Sequence, residues 1–126
     1  MTSNDRSISD SELKILEVLW NRDRATVREI TAEVYEEQSF SKYQTVQKLL
    51  ERLEKKGCVK RKRGTPAHTF EPTVERDDII GHRLEQVAEK LCGGSLTPLL
   101  MHLAGRTRLK PNEREAIQKL INSRKR

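Results

Sequence analysis

The 126-residue chain carries 25 Lys and Arg against 19 Asp and Glu, a formal net charge of +6, with 34% hydrophobic and 35% charged residues. A length of this order holds one domain, or one small domain with an appended oligomerisation element, and the lean hydrophobic share points to burial completed against a second copy. No stretch approaches the roughly 18–20 apolar residues of a membrane span, and the polar opening MTSNDRS lacks an apolar signal core, so a cytoplasmic protein without membrane insertion is expected. Cys58 and Cys92 lack the close pairing of metal or redox motifs and read as small buried apolar residues; no cofactor is expected.

Ser9 and Glu12 match the capping box, in which the cap hydroxyl accepts from the N3 amide and the N3 carboxylate accepts from the cap amide. The run that follows places Leu13, Leu16, Leu19 and Trp20 on one face, predicting a helix over about 10–22 closed by Asn21-Arg22-Asp23. Ala25-Thr26 forms a short extended piece. Thr26 and Glu29 repeat the capping box, and Val27, Ile30 and Val34 mark the inward face of a second helix ending near Glu37. Both helices read as core scaffold.

Ser41 and Gln44 match a third capping box, opening a helix that runs to Gly57, a residue suited to a left-handed C-cap. Val46, Leu49, Leu50 and Leu53 fall at i, i+3, i+4 and i+7 and form its buried stripe. At about 100° per residue, Gln44, Lys48, Glu51 and Lys55 point away from that stripe, with Thr45, Gln47 and Arg52 on the flanks. Beyond Gly57, two short basic strand-like runs enclose a Gly64-Thr65-Pro66 turn and predict a β wing. From Lys42 to Arg63 there are nine Lys/Arg against two Glu, a local balance of +7. The positive excess of the chain is therefore concentrated on one segment, as a surface that neutralises phosphates requires. These elements predict a mainly α fold with a small β wing, a winged helix-turn-helix DNA-binding domain over residues 1–74.

From residue 75 the character changes. Residues 75–92 predict a long helix whose narrow stripe, Ile80, Leu84, Val87 and Leu91, suits a partner helix better than a broad core. Gly93-Gly94 breaks the chain. Ser95 can cap a short helix with Leu96, Leu99, Leu100 and Leu103 on one face and Pro98 in its first turn, and Pro111 starts a last helix with Ile117, Leu120 and Ile121 inward. Helices this small cannot bury enough area alone, so residues 75–126 are expected to form a helical dimerisation region.

A recognition helix reaches base edges with its N-terminal half. Gln44 and Gln47 are the candidates for base contacts, because a carboxamide can bond adenine N6 and N7 together. Thr45 suits a thymine methyl or a phosphate, and Tyr43 the backbone. Lys42, Lys48 and Arg52 are expected on phosphates, setting register without reading sequence. In the wing, Lys60, Arg61, Lys62 and Arg63 are expected along the flanking backbone, with Arg63 and the Gly64 turn nearest a minor groove. A lone basic helix face is often only a solvated face, but here a basic wing joins it on one side of the fold.

Other classes fare less well. His68, His82 and His102 are scattered, no catalytic or phosphate-loop motif is present, and Asp77-Asp78 suits a helix N-terminus, so the chain is not expected to be an enzyme. A winged-helix protein-interaction module without a DNA role, the alternative, predicts a neutral or apolar third-helix face. RNA binding calls for an exposed aromatic platform, whereas the two Phe, two Tyr and one Trp stand mostly at core-like positions.

Five blocks in order carry a resemblance: Ile8-Ser9-Asp10-Ser11-Glu12; Ala25-Thr26-Val27-Arg28-Glu29-Ile30; Tyr43-x-Thr45-Val46-x-x-Leu49-Leu50-x-Arg52-Leu53-x-x-Lys56-Gly57; Phe70-x-Pro72-x-Val74; and Gly93-Gly94-Ser95-Leu96-x-Pro98-Leu99-Leu100. From Ile8 to about Ile121 the chain resembles the penicillinase-repressor family of winged-helix regulators, the BlaI/MecI/CopY type. The resemblance implies a homodimeric repressor of double-stranded DNA, with an N-terminal DNA-binding half and a C-terminal dimerisation half. It also implies a membrane sensor metalloprotease as a partner, since in the β-lactam branch such a sensor triggers cleavage within the dimerisation half and so collapses bivalent affinity. Two departures stand out. That branch is cut at an Asn-Phe bond just after the Pro-Leu-Leu block, where this chain has His102-Leu103. The copper-responsive branch carries paired C-terminal cysteines, which the tail NSRKR lacks, so copper sensing by that route is not supported.

Overall fold

A computed structural model describes residues 7–106 and 108–123. The elements run α1 (Asp10–Arg22), α2 (Val27–Val34), α3 (Phe40–Lys55), β1 (Val59–Lys62), β2 (Thr69–Pro72), α4 (Arg76–Cys92), α5 (Thr97–Arg106) and α6 (Pro111–Ser123). They divide into two compact units, one up to Leu84 and one from Glu85 onward.

In the first unit both expected capping boxes form. Ser9 Oγ accepts from the Glu12 amide at 3.1 Å while Glu12 Oε1 accepts from the Ser9 amide at 2.9 Å. Thr26 and Glu29 repeat this at the same two distances. α2 ends at Val34 rather than near Glu37, because Tyr35 takes an extended backbone and returns its ring to the core edge. α3 also begins earlier than its sequence signature suggests. Ser39, not Ser41, is the cap: its Oγ accepts from the Lys42 amide at 3.2 Å, which makes Phe40 the first helical residue. Ser41 lies inside the first turn, where its carbonyl accepts from Thr45 Oγ1 at 3.0 Å. At the other end Gly57, with φ 76°, closes a Schellman motif: Cys58 N–H donates to Leu53 at 2.9 Å and Gly57 N–H to Glu54 at 3.0 Å.

The stripes of the three helices meet in one core. Ile15, Leu16, Leu19, Ile30, Val46, Leu50, Leu53 and Cys58 are each no more than 1% exposed. Each large aliphatic among them contributes roughly 1.5–3 kcal/mol of transfer free energy. Ile15 and Val18 are buried too, so the inward face of α1 is broader than the four residues its periodicity singles out. One polar device crosses this core. The Glu12 carboxylate, 1% exposed, accepts from Lys56 Nζ at 2.7 Å, and the same ammonium donates to the Ser7 carbonyl at 2.8 Å.

β1 and β2 pair antiparallel with Lys60 opposite Glu71 and Arg61 opposite Phe70. The extended piece before α2 joins them: Ala25 and Phe70 exchange backbone bonds at 3.1 and 2.8 Å. Only β1 is basic; β2 contributes an acidic residue, Glu71, instead of further cations. The start of α4 belongs to this unit. Trp20 Nε1 donates to the Val74 carbonyl at 2.8 Å, the Arg76 guanidinium lies 4.8 Å over the indole, and Arg83 donates to the Ile8 carbonyl at 2.7 Å. Ile79 is buried in the core, on the opposite duty from its neighbour Ile80, which is exposed.

In the second unit, Gly93 and Gly94 have φ of 60° and 90° and end α4, with the Gly94 amide donating to the Ala88 carbonyl at 2.9 Å. α5 starts where the Thr97 amide donates to Ser95 Oγ at 3.2 Å. Apolar residues here are mostly uncovered: Val87, Leu91, Leu96, Leu100 and Leu103 are exposed and Leu99 is half-buried. α6 has no buried residue, so Ile117, Leu120 and Ile121, expected inward, face no core of their own chain. Cys92 is half-buried, unlike Cys58. Among the described residues no helix is long and apolar enough to cross a membrane.

Candidate nucleic-acid interface

The burial of Val46, Leu49, Leu50 and Leu53 fixes the rotation of α3, so the residues between them must face out. Gln44, Thr45, Gln47, Lys48 and Arg52 are all exposed. Lys42 sits apart from them. It lies four residues before Val46, on the buried side of the wheel, and its ammonium is 4.9 Å over the Tyr35 ring. Tyr43 is half-buried against the first turn of α2, where it lines a groove of about 770 Å³ with Gln47, Arg61 and the wing loop Pro66–His68.

The wing cations do not form one row. Successive strand residues face opposite sides, so Val59 and Arg61 turn toward the core face and Lys60 and Lys62 away from it. Arg61 lies 5.3 Å over the Phe70 ring and pairs with Glu54 at 3.1 Å, which places its guanidinium in the groove beside α3. Lys60 and Lys62 reach Glu71 at 3.8 and 3.3 Å, and Arg24, from the turn after α1, approaches the same carboxylate at 4.0 Å. Arg63 is exposed in the loop. The positive balance of the segment is thus partly met within the protein: Lys56 serves Glu12, and Glu71 is shared among three cations.

Three surface residues adjoin this face without having been singled out by sequence. Arg24 and Arg28 stand in the turn before α2 and in its first turn, where composition alone reads them as ordinary surface charge. Phe40 is 73% exposed at the tip of α3, the exception among aromatics that otherwise stand mostly at core-like positions. The helix start at Ser39 was the signal that would have located it. The nearby Glu29 carboxyl is held below its usual range chiefly by the Thr26 amide, with Arg22 assisting, so α2 begins on a fixed, ionised cap.

Three packed helices, the third presenting a polar and basic face, followed by a hairpin on the same unit, define a winged helix-turn-helix protein of the mainly helical class. A solution structure of the DNA-binding domain of the repressor BlaI has this fold, with 27% identity and a TM-score of 0.50 over 58% of this chain and 88% of that one. The chain belongs to the penicillinase repressor family, whose profile matches residues 8–123. It is 25% identical over 122 residues to a penicillinase repressor of Staphylococcus aureus, covering 97% of this chain and 96% of that protein. The methicillin resistance regulatory protein MecI of Staphylococcus aureus (strain N315) is 23% identical over 124 residues, 98% of this chain and 100% of that one. The transcriptional regulator BlaI of Mycobacterium tuberculosis is 28% identical over 116 residues, covering 90% and 82%. The family is one of transcriptional repressors, as the five sequence blocks imply.

Proposed function

We propose that the chain is a sequence-specific transcriptional repressor that binds double-stranded DNA as a homodimer on a near-palindromic operator and acts in the cytoplasm. The observation that carries this reading is the exposed row of α3: Gln44 and Gln47 together, with Lys48 and Arg52 beside them and the wing cations on the same unit. Amides at the front of the helix suit base edges, and the flanking cations suit phosphates. A neutral or apolar helix face, which an interaction module without a DNA role requires, is not what α3 presents. The dimer is supported by the uncovered leucines and isoleucines of α4, α5 and α6, which no core of a single chain satisfies. Residues Ile80, Leu84, Val87, Leu91, Leu96, Leu99, Leu100, Leu103, Ile117, Leu120 and Ile121 are its proposed interface. Inactivation by cleavage, triggered by a membrane sensor metalloprotease, belongs to the same proposal; His102-Leu103 lies within α5, so a protease that binds extended chain must first unwind that turn.

The test is fluorescence anisotropy of the protein with its own upstream region against a scrambled duplex at two salt concentrations. Preference for the native sequence, with affinity falling roughly 10³–10⁵-fold between 50 and 200 mM salt for a dimer that neutralises about 6–10 phosphates, is the expected result. Removing Lys60 or Lys62 lowers the salt slope by about 1 and leaves sequence preference intact. No binding to either duplex at low salt overturns the reading.

A further inference from the structure

Phe40 is a large apolar side chain left in water at the front of α3. The other rings are engaged: Phe70 is buried, Trp20 bonds Val74, Tyr35 carries Lys42, and Tyr43 is half-buried. The Ser39 cap makes Phe40 the first helical residue, which in this class of fold is the end that enters the major groove. Phe40, Gln44 and Gln47 stand at i, i+4 and i+7, a single row along one face. Beside Phe40 lies an open hollow of about 500 Å³, lined also by Arg28, Gln38 and Tyr43. None of the described residues fills it.

The major groove offers one apolar feature to such a ring, the C5-methyl group of thymine. Amides suited to adenine in the same row make A·T pairs the natural neighbours of that contact. Arg28 supplies a guanidinium at the rim of the same hollow for the adjoining phosphate. We propose that Phe40 is a specificity-determining residue that reads a thymine methyl in each half-site, next to the bases met by Gln44 and Gln47. This rests on the DNA-binding reading above.

The test starts from random DNA, so the operator sequence is an outcome of it. Duplexes are enriched by the full chain from a random-sequence library, and each thymidine of the enriched site is then replaced singly by deoxyuridine, which removes only the methyl group. The wild-type protein is expected to lose about three- to fivefold in affinity at one thymine of each half-site, the size of one buried methyl group. Phe40→Ala binds the unmodified duplex more weakly by a similar factor and is indifferent to that replacement, while Gln44→Ala weakens binding and keeps it. A wild-type protein that is insensitive at every thymine, or Phe40→Ala that retains the wild-type loss, overturns the proposal with the repressor reading intact. Enrichment of no sequence at all sinks that reading, and this inference with it.

Discussion

At Lys56 a cation of the basic segment turns inward. Its ammonium reaches Glu12 and the Ser7 carbonyl, so it anchors the end of α3 to the start of α1 instead of facing DNA. Burial acts to raise the Glu12 pKa, but the Lys56 hydrogen bond and charge and the Ser9 bonds outweigh it and hold the carboxyl below its usual range. A depressed carboxylate contributes stability that is fully present above its unfolded value, near 4.3, and is lost as pH falls through the lower folded value. Lys56→Met leaves the carboxylate buried without its cation. The expected cost at neutral pH is about 3 kcal/mol, the lower end for a broken buried pair because Lys56 is partly exposed. With the ammonium gone, the burial that raises Glu12 is less opposed, so the variant's carboxyl takes up a proton ahead of the wild type's. The deficit therefore shrinks as pH is lowered toward about 4. Urea titrations at the two pH values check it; a deficit that ignores pH would mean the ammonium is not what holds Glu12 ionised.

Among the elements, the wing holds an acidic residue where the proposed phosphate-binding surface has least use for one. Glu71 is ion-paired with Lys60, Lys62 and Arg24, and under the proposed DNA-binding role each phosphate contact of those cations would have to be won from it. Glu71→Gln is therefore expected to raise affinity for operator and scrambled duplex alike, about three- to tenfold at low salt, while changing stability by less than about 1 kcal/mol. Anisotropy against both duplexes, paired with thermal melts, measures this; an affinity gain confined to the operator would give Glu71 a reading role instead. The two acidic capping boxes and the Gly57 stop were legible because each is a local contract between residues three or four apart. The same Ser-x-x-Gln spacing at Ser41 misled, since a cap is set by where extended backbone ends, and that happens at Ser39. Glu71 and Arg24 were out of reach because their meeting depends on strand register and on the Ala25–Phe70 bridge, neither of which periodicity encodes.

For the molecule as a whole, the contrast between the units decides what a single chain can do. The first unit closes its own core, whereas α6 buries nothing and α5 leaves Leu100, Met101 and Leu103 in water. The stripe spacing of α4 to α6 was readable from sequence; that Ile79 would serve the first core while Ile80 did not was hidden, because adjacent apolar residues on a helix can be claimed by different neighbours. Leu100→Glu combined with Leu120→Glu is expected to give a monomer by sedimentation velocity and to weaken operator binding about 10²–10⁴-fold through lost bivalency, with single half-site binding unchanged. A double variant that stays dimeric would move the interface elsewhere.

The indole of Trp20 lies against the start of α4 within the first unit, bonded to the Val74 carbonyl and covered by Arg76. It is the single tryptophan of the sequence, so the protein carries its own optical gauge at the start of α4. An inducing event that loosened the first turn of α4 would bare the ring to water and shift its intrinsic emission to longer wavelength. An event that left the first turn of α4 in place would leave the emission colour alone. Signals whose chemistry is not yet assigned can thus be sorted by where they act, in a cuvette and without a label.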